Sequence, residues 1–128
     1  NFGHTFGHAF EAESLYSSKL RHGEAVSVGM ILACKLSKEL GHLKTNIIPR
    51  IKEHFFQIGL PISPKDISEN NNDWDILKLI GRMKNDKKIV NNIIQFILIK
   101  DIGKVFLSQD VSIKTVKKVI MESMQEEN

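Results

Sequence analysis

Cysteine is almost missing from this chain. Cys34 stands alone among 128 residues, so no internal disulfide can form, and a reduced, cytoplasmic setting is expected. No window approaches the roughly 18–20 unbroken apolar residues of a spanning helix, which argues against a membrane partner. No signal peptide is visible, although a start at Asn1 leaves room for one on a longer parent. A dense basic stripe with interleaved aromatics is also lacking, and that argues against nucleic acid. The lysines are scattered, and the last eight residues, "MESMQEEN", are acidic. The net charge of +3 favours small anionic partners such as phosphorylated metabolites. There is no glycine-rich dinucleotide motif and no strand–helix alternation of a nucleotide-binding fold.

Apolar residues make up 41% of the chain, enough for one packed domain. "GHTFGHAFEAES" reads as a short helix with Phe6, Ala9, Phe10 and Leu15 available for packing, and the Ser-rich "LYSSKLR" as a loop. "HGEAVSVGMILACKLSKELGHL" is apolar nearly all round, which predicts a largely buried helix. Glu24 suits its positive end, and Gly41 is its stop. In "TNIIPRIKEHFFQIGL", Ile47, Ile48, Ile51, Phe55 and Ile58 recur at helical spacing, capped by Thr45 or Asn46 and closed by Gly59. "PISPKDISENNND" reads as a linker. "DWDILKLIGRMKNDKK" predicts a helix with Trp74, Leu77, Ile80 and Met83 on one face. "IIQFILIKDIGKVFLS" has two β-rich runs about a Gly turn, hence a hairpin. "SIKTVKKVIMESM" closes the chain as a helix capped by Ser112, with Ile113, Val116, Ile120 and Met124 facing inward. The fold expected is therefore mainly α, a multi-helix domain with one small β-hairpin.

His4 and His8 lie four residues apart, so on a helix they share a face. Imidazoles at that spacing can bind a divalent metal. His22, eighteen residues after His4, opens the next helix, and an antiparallel return would bring it beside both. Such a pair also arises by chance, and packing of helices through Gly3, Gly7 and Gly23, with the histidines merely half-buried, accounts for the pattern equally. His42 and His54 have polar neighbours and read as surface or helix-end residues. Lys84, Lys87 and Lys88 cluster in "MKNDKK". They suit a phosphate, but on charge pattern alone the ordinary reading, cations at the negative end of a helix dipole, is favoured.

"NFGHTFGHAFEAE", "LRHGEAVSVGM" and "MKNDKK" followed by the β-ribbon resemble, in order and spacing, the C-terminal domain of the 3-dehydroquinate synthase family. The resemblance implies a shikimate-pathway lyase of aromatic amino acid biosynthesis that turns the seven-carbon sugar acid phosphate DAHP into a carbocycle. It implies His4 and His22 as ligands of zinc or another divalent metal. It implies His8 as a catalytic and substrate-site histidine, which departs from the spacing argument that pairs His4 with His8. Asn1 matches a substrate-contacting asparagine, and Lys88, with Lys87, a lysine that holds phosphate. Glu11 and Glu24 have no role assigned beyond support of the imidazoles. NAD and a third, glutamate ligand are expected from an N-terminal domain absent from residues 1–128, with no cofactor-binding residue here. This chain is then expected to be inactive alone, and the full-length enzyme to be a homodimer. Other sugar phosphate cyclases, metal-dependent glycerol-type alcohol dehydrogenases and a non-catalytic docking module are the competing readings.

Overall fold

The computed structural model describes residues 2–14, 22–43, 46–68, 74–84 and 93–125. Among them are five α-helices and one two-stranded sheet, so the expected mainly helical class with a single hairpin is what forms.

Helix α1 spans His4–Glu13, and its buried side is the stripe Phe6, Ala9 and Phe10. Helix α2 spans His22–Glu39. Its buried residues run almost right round the helix, from Ala25 and Val28 through Ile31, Leu32 and Cys34 to Leu36. It can bury so many because α1, α3, α5 and strand β1 all pack on it. Burial of each large apolar side chain contributes about 1.5–3 kcal/mol, so α2 is the pillar of the fold. Gly41 ends it at φ +80°: the His42 N–H donates to the Ser37 carbonyl at 2.9 Å and the Gly41 N–H to the Lys38 carbonyl at 3.0 Å. That left-handed cap suits glycine.

Helix α3 spans Ile48–Gln57. Asn46, of the two expected caps, supplies the contact, its Oδ1 accepting from the Ile48 N–H at 3.4 Å. Thr45 lies outside the described residues. Ile47 and Ile48 join Cys34 and Ile99 in a small second core. Ile58 does not belong to the buried stripe and is 58% exposed, because the helix stops at Gln57 and its inward face is confined to the first turns.

The segment read as a linker is docked over Pro61–Ser68. It contains a 3-10 turn, Pro64–Ile67, with Ser63, Pro64 and Ile67 buried. Ser27 Oγ donates to the Pro61 carbonyl at 3.1 Å, and Trp74 Nε1 donates to the Pro64 carbonyl at 2.8 Å. Prolines marked a break in helix periodicity but not an absence of packing.

Helix α4 spans Ile76–Lys84, capped by Asp75, whose Oδ1 accepts from the Lys78 N–H at 3.2 Å. Its inward stripe is Ile76, Leu79, Ile80 and Met83. Leu77, expected on that face, is 68% exposed. The four inward residues follow i, i+3, i+4, i+7, and Leu77 is rotated one position off that line.

Strands β1 (Ile93–Asp101) and β2 (Lys104–Ser112) form an antiparallel hairpin through Ile102 and Gly103, with register shifts between Ile94 and Phe96 and between Ile99 and Asp101. The hairpin is tied to the helices by polar contacts at both irregular places. Thr5 Oγ1 donates to the Gln95 carbonyl at 3.2 Å. Buried Ser37 Oγ accepts the Ile99 N–H at 3.0 Å while donating to the Ala33 carbonyl. Phe96 lies against Phe6, ring centroids 5.0 Å apart. Helix α5 spans Ile113–Gln125 and starts at Ser112, whose Oγ accepts the Thr115 N–H at 3.3 Å. Val116, Val119 and Ile120 close the core, with Ile113 and Met124 packed at its margin.

Candidate metal centre

Helices α1 and α2 run antiparallel at very short range, and the register can be read rung by rung. A β-carbon on Gly3 would stand 2.6 Å from the Met30 nitrogen, and one on Gly7 3.2 Å from the Ala25 carbonyl oxygen. One turn further along α1, Glu11 Oε1 meets His22 Nδ1 at 2.7 Å. Each rung advances four residues on α1 and retreats about four on α2. Glycine at the first two rungs lets the backbones approach, and that approach delivers the first residue of α2 to the side chains of α1.

The result is a cluster of imidazoles. Ring centroids lie 5.3 Å apart for His4 and His8, 5.6 Å for His4 and His22, and 6.0 Å for His8 and His22. The spacing argument thus placed His4 and His8 on one face, and the antiparallel return brought His22 to them. The nitrogens of His8 and His22 and a carboxylate oxygen of Glu11 all lie within 4.8 Å of one another. His4 is half-buried, and its Nδ1 is 3.4 Å from the Phe2 carbonyl. His8 is exposed and the His22 side chain is 57% exposed, so the cluster opens at the surface. His8, His22 and Glu11 together offer the nitrogen and carboxylate donors that zinc accepts, whereas His4, the other expected ligand, stands beside His22 by its ring but outside that group of donor atoms. The residues therefore fit a divalent metal.

Asn1, Lys87 and Lys88 lie outside the described residues. The helix that leads toward the lysines is nonetheless placed. Arg82 Nε donates to Glu13 Oε2 at 3.3 Å, linking α4 to the helix that carries His4 and His8. Sequence reasoning missed Arg82 because a partner 69 residues away leaves no local pattern. Of the remaining histidines, His54 is exposed and His42 is half-buried, its ring edge-on to Phe106 at 4.8 Å. Neither joins the cluster, as expected. No helix among the described residues is long and apolar enough to cross a membrane.

A mainly helical domain with one two-stranded hairpin is the fold of the dehydroquinate synthase-like synthases. Residues 1–89 match the family described as 3-dehydroquinate synthase C-terminal, and the chain belongs to that family. It is 43% identical over 115 residues to a 3-dehydroquinate synthase from a Bradyrhizobium strain, covering 87% of this chain and 30% of that protein. It is 36% identical over 124 residues to the 3-dehydroquinate synthase of Cereibacter sphaeroides, covering 97% of this chain and 33% of that protein. The chain thus spans about a third of the length of these relatives. In fold it is similar to a 2-deoxy-scyllo-inosose synthase solved with carbaglucose-6-phosphate, NAD+ and Co2+, with a TM-score of 0.75, 24% identity, and 95% of this chain and 34% of that one covered. It is also similar to the 2-epi-5-epi-valiolone synthase of Streptomyces hygroscopicus, solved with NAD+ and Zn2+, with a TM-score of 0.73, 21% identity, and 94% and 31% covered.

Proposed function

We propose that this chain is the metal- and substrate-binding part of a 3-dehydroquinate synthase that converts DAHP to 3-dehydroquinate with elimination of phosphate. The observation that carries the reading is the meeting of His4, His8 and His22 at 5.3–6.0 Å, on the helices that bear the family's motifs. His4 and His22 hold the divalent ion, His8 serves the substrate, Asn1 contacts it, and Lys88 with Lys87 holds its phosphate. The full enzyme is a cytoplasmic homodimer, and this chain alone does not turn over DAHP.

When bound, the ion supplies Lewis-acid polarisation of substrate oxygens, and NAD on another domain supplies a hydride acceptor and donor. The chain's own contribution is positioning and proton handling. His8, exposed at the rim of the cluster, can take or give a proton at either ring nitrogen. Lysine ammonium groups complement the phosphate while it is held and while it leaves. Apolar packing holds α4, which leads to those lysines in sequence, against the histidine helix, and the Glu13–Arg82 pair joins the two at the surface. Support for NAD and a divalent metal comes from the cyclases of this fold solved with both.

A related cyclase acting on another sugar phosphate is the second reading, favoured by the TM-scores of 0.73–0.75 to synthases of that kind. The test is phosphate release from DAHP by this chain joined to the NAD-binding domain of a 3-dehydroquinate synthase, with NAD and zinc. Release without net NADH is the expected result. Silence toward DAHP with turnover of another sugar phosphate selects the second reading. Steady NADH production from a simple polyol would overturn both in favour of a dehydrogenase.

A further inference from the structure

We propose that Glu11 is the positioning residue of His22, fixing which ring nitrogen of that histidine is free to bind metal. The inference rests on the reading of His22 as a metal ligand and goes beyond it: the general support of the imidazoles expected of Glu11 becomes a bond to one named nitrogen of one histidine.

The geometry is specific. Glu11 Oε1 lies 2.7 Å from His22 Nδ1, a charge-assisted distance. An ionised carboxylate only accepts hydrogen bonds, so the proton of that bond sits on Nδ1. Nε2 then keeps its lone pair. The Glu11 side chain is the shielded member at 14% exposure, whereas His22 is 57% exposed. A largely shielded carboxylate on the last turn of α1 has few conformations, and the glycine rungs at Gly3 and Gly7 fix the register that brings it to His22. An exposed imidazole at the first residue of α2 is thereby given one tautomer and one anchor. Partners of this kind orient metal-binding histidines and raise their basicity.

A carboxylate oxygen of Glu11 also lies among the possible ligand atoms with His8 and His22. The two roles are separable, because glutamine can accept from Nδ1–H through its amide oxygen yet is a poor metal ligand. The experiment uses the metal-free chain and long-range nitrogen-15 NMR of its imidazoles, with zinc affinity measured by chelator competition. His22 is expected as the Nδ1–H tautomer in the parent chain and in Glu11→Gln. It is expected to move toward Nε2–H in Glu11→Ala. Zinc affinity is expected to fall roughly 10- to 100-fold in Glu11→Ala and to stay near the parent level in Glu11→Gln, with unfolding midpoints alike in all three. An unchanged His22 tautomer in Glu11→Ala overturns the proposal. Equal loss of zinc in Glu11→Gln and Glu11→Ala also overturns it, in favour of direct ligation by Glu11. His22→Ala separates the two levels. Zinc lost there but retained in Glu11→Ala sinks the positioning role alone, and zinc retained in both removes the metal reading and the proposal with it.

Discussion

A β-carbon on Gly29 would stand 2.2 Å from the carbonyl oxygen of Gly3 and 2.9 Å from the Gly7 nitrogen. The obstructing atoms are backbone, so neither a rotamer change nor a small shift relieves the clash. Gly29→Ala is expected to force α1 away from α2, destabilising the fold by about 1–3 kcal/mol, the usual range for overpacking. It should also separate the imidazoles. Urea unfolding checks the first effect and zinc uptake the second. A parent-like midpoint would show that the helices do not approach this closely.

Ser37 offers a second test. Its buried hydroxyl is the acceptor for the Ile99 N–H, and Ser37→Ala leaves that donor unpaired beside α2. The cost expected is about 1–3 kcal/mol, read from urea midpoints, with hydrogen exchange at the Ile99 amide accelerated. Unchanged exchange there would remove the bridge from the account.

Leu77 and Leu79 sit two residues apart on α4, with 68% and 0% exposure. Leu79→Ala is expected to destabilise by about 2–5 kcal/mol, and Leu77→Ala by within about 0.5 kcal/mol. Thermal unfolding distinguishes them directly, and the reverse order would restore the stripe through Leu77 that the sequence pattern suggested.

Burial pushes the Cys34 thiol up to about 12. An unfolded thiol titrates near about 8.5. Between those values the folded state keeps a proton that the unfolded state has lost, so stability falls as pH rises. This contribution is flat below about pH 8.5 and declines above it by at most about 1.4 kcal/mol per pH unit. Unfolding free energies above that pH should decline less steeply in Cys34→Ala. A thiol reagent should react with Cys34 only after denaturant is added.

The parts of this molecule that a reader of the sequence can see are those whose cause is local. The all-round apolar pattern of α2 gives a helix packed on every side, and Ser112 before "IKTV" gives a cap. His4 and His8 share a face because four residues make about one turn. Contacts between elements leave weaker traces. Trp74, Leu77, Ile80 and Met83 recur every three residues, a spacing that puts Leu77 inward on paper, whereas the packed line runs through Ile76, Leu79, Ile80 and Met83. Pro61–Ser68 read as a linker because proline and serine break periodicity, yet its carbonyls are bound by Ser27 and Trp74. Glu11 faces His22 only because α1 and α2 pack antiparallel in one register, and glycine marks the closeness of the helices without naming what they bring together.

The most direct test of the account is zinc uptake by the folded chain, measured by chelator competition for the parent and for His22→Ala, with His42→Ala as control. His42 packs on Phe106 and lies apart from the cluster. The account predicts measurable zinc uptake in the parent and equally in His42→Ala, and its loss in His22→Ala with the fold retained. Equal zinc uptake in His22→Ala and the parent would contradict it.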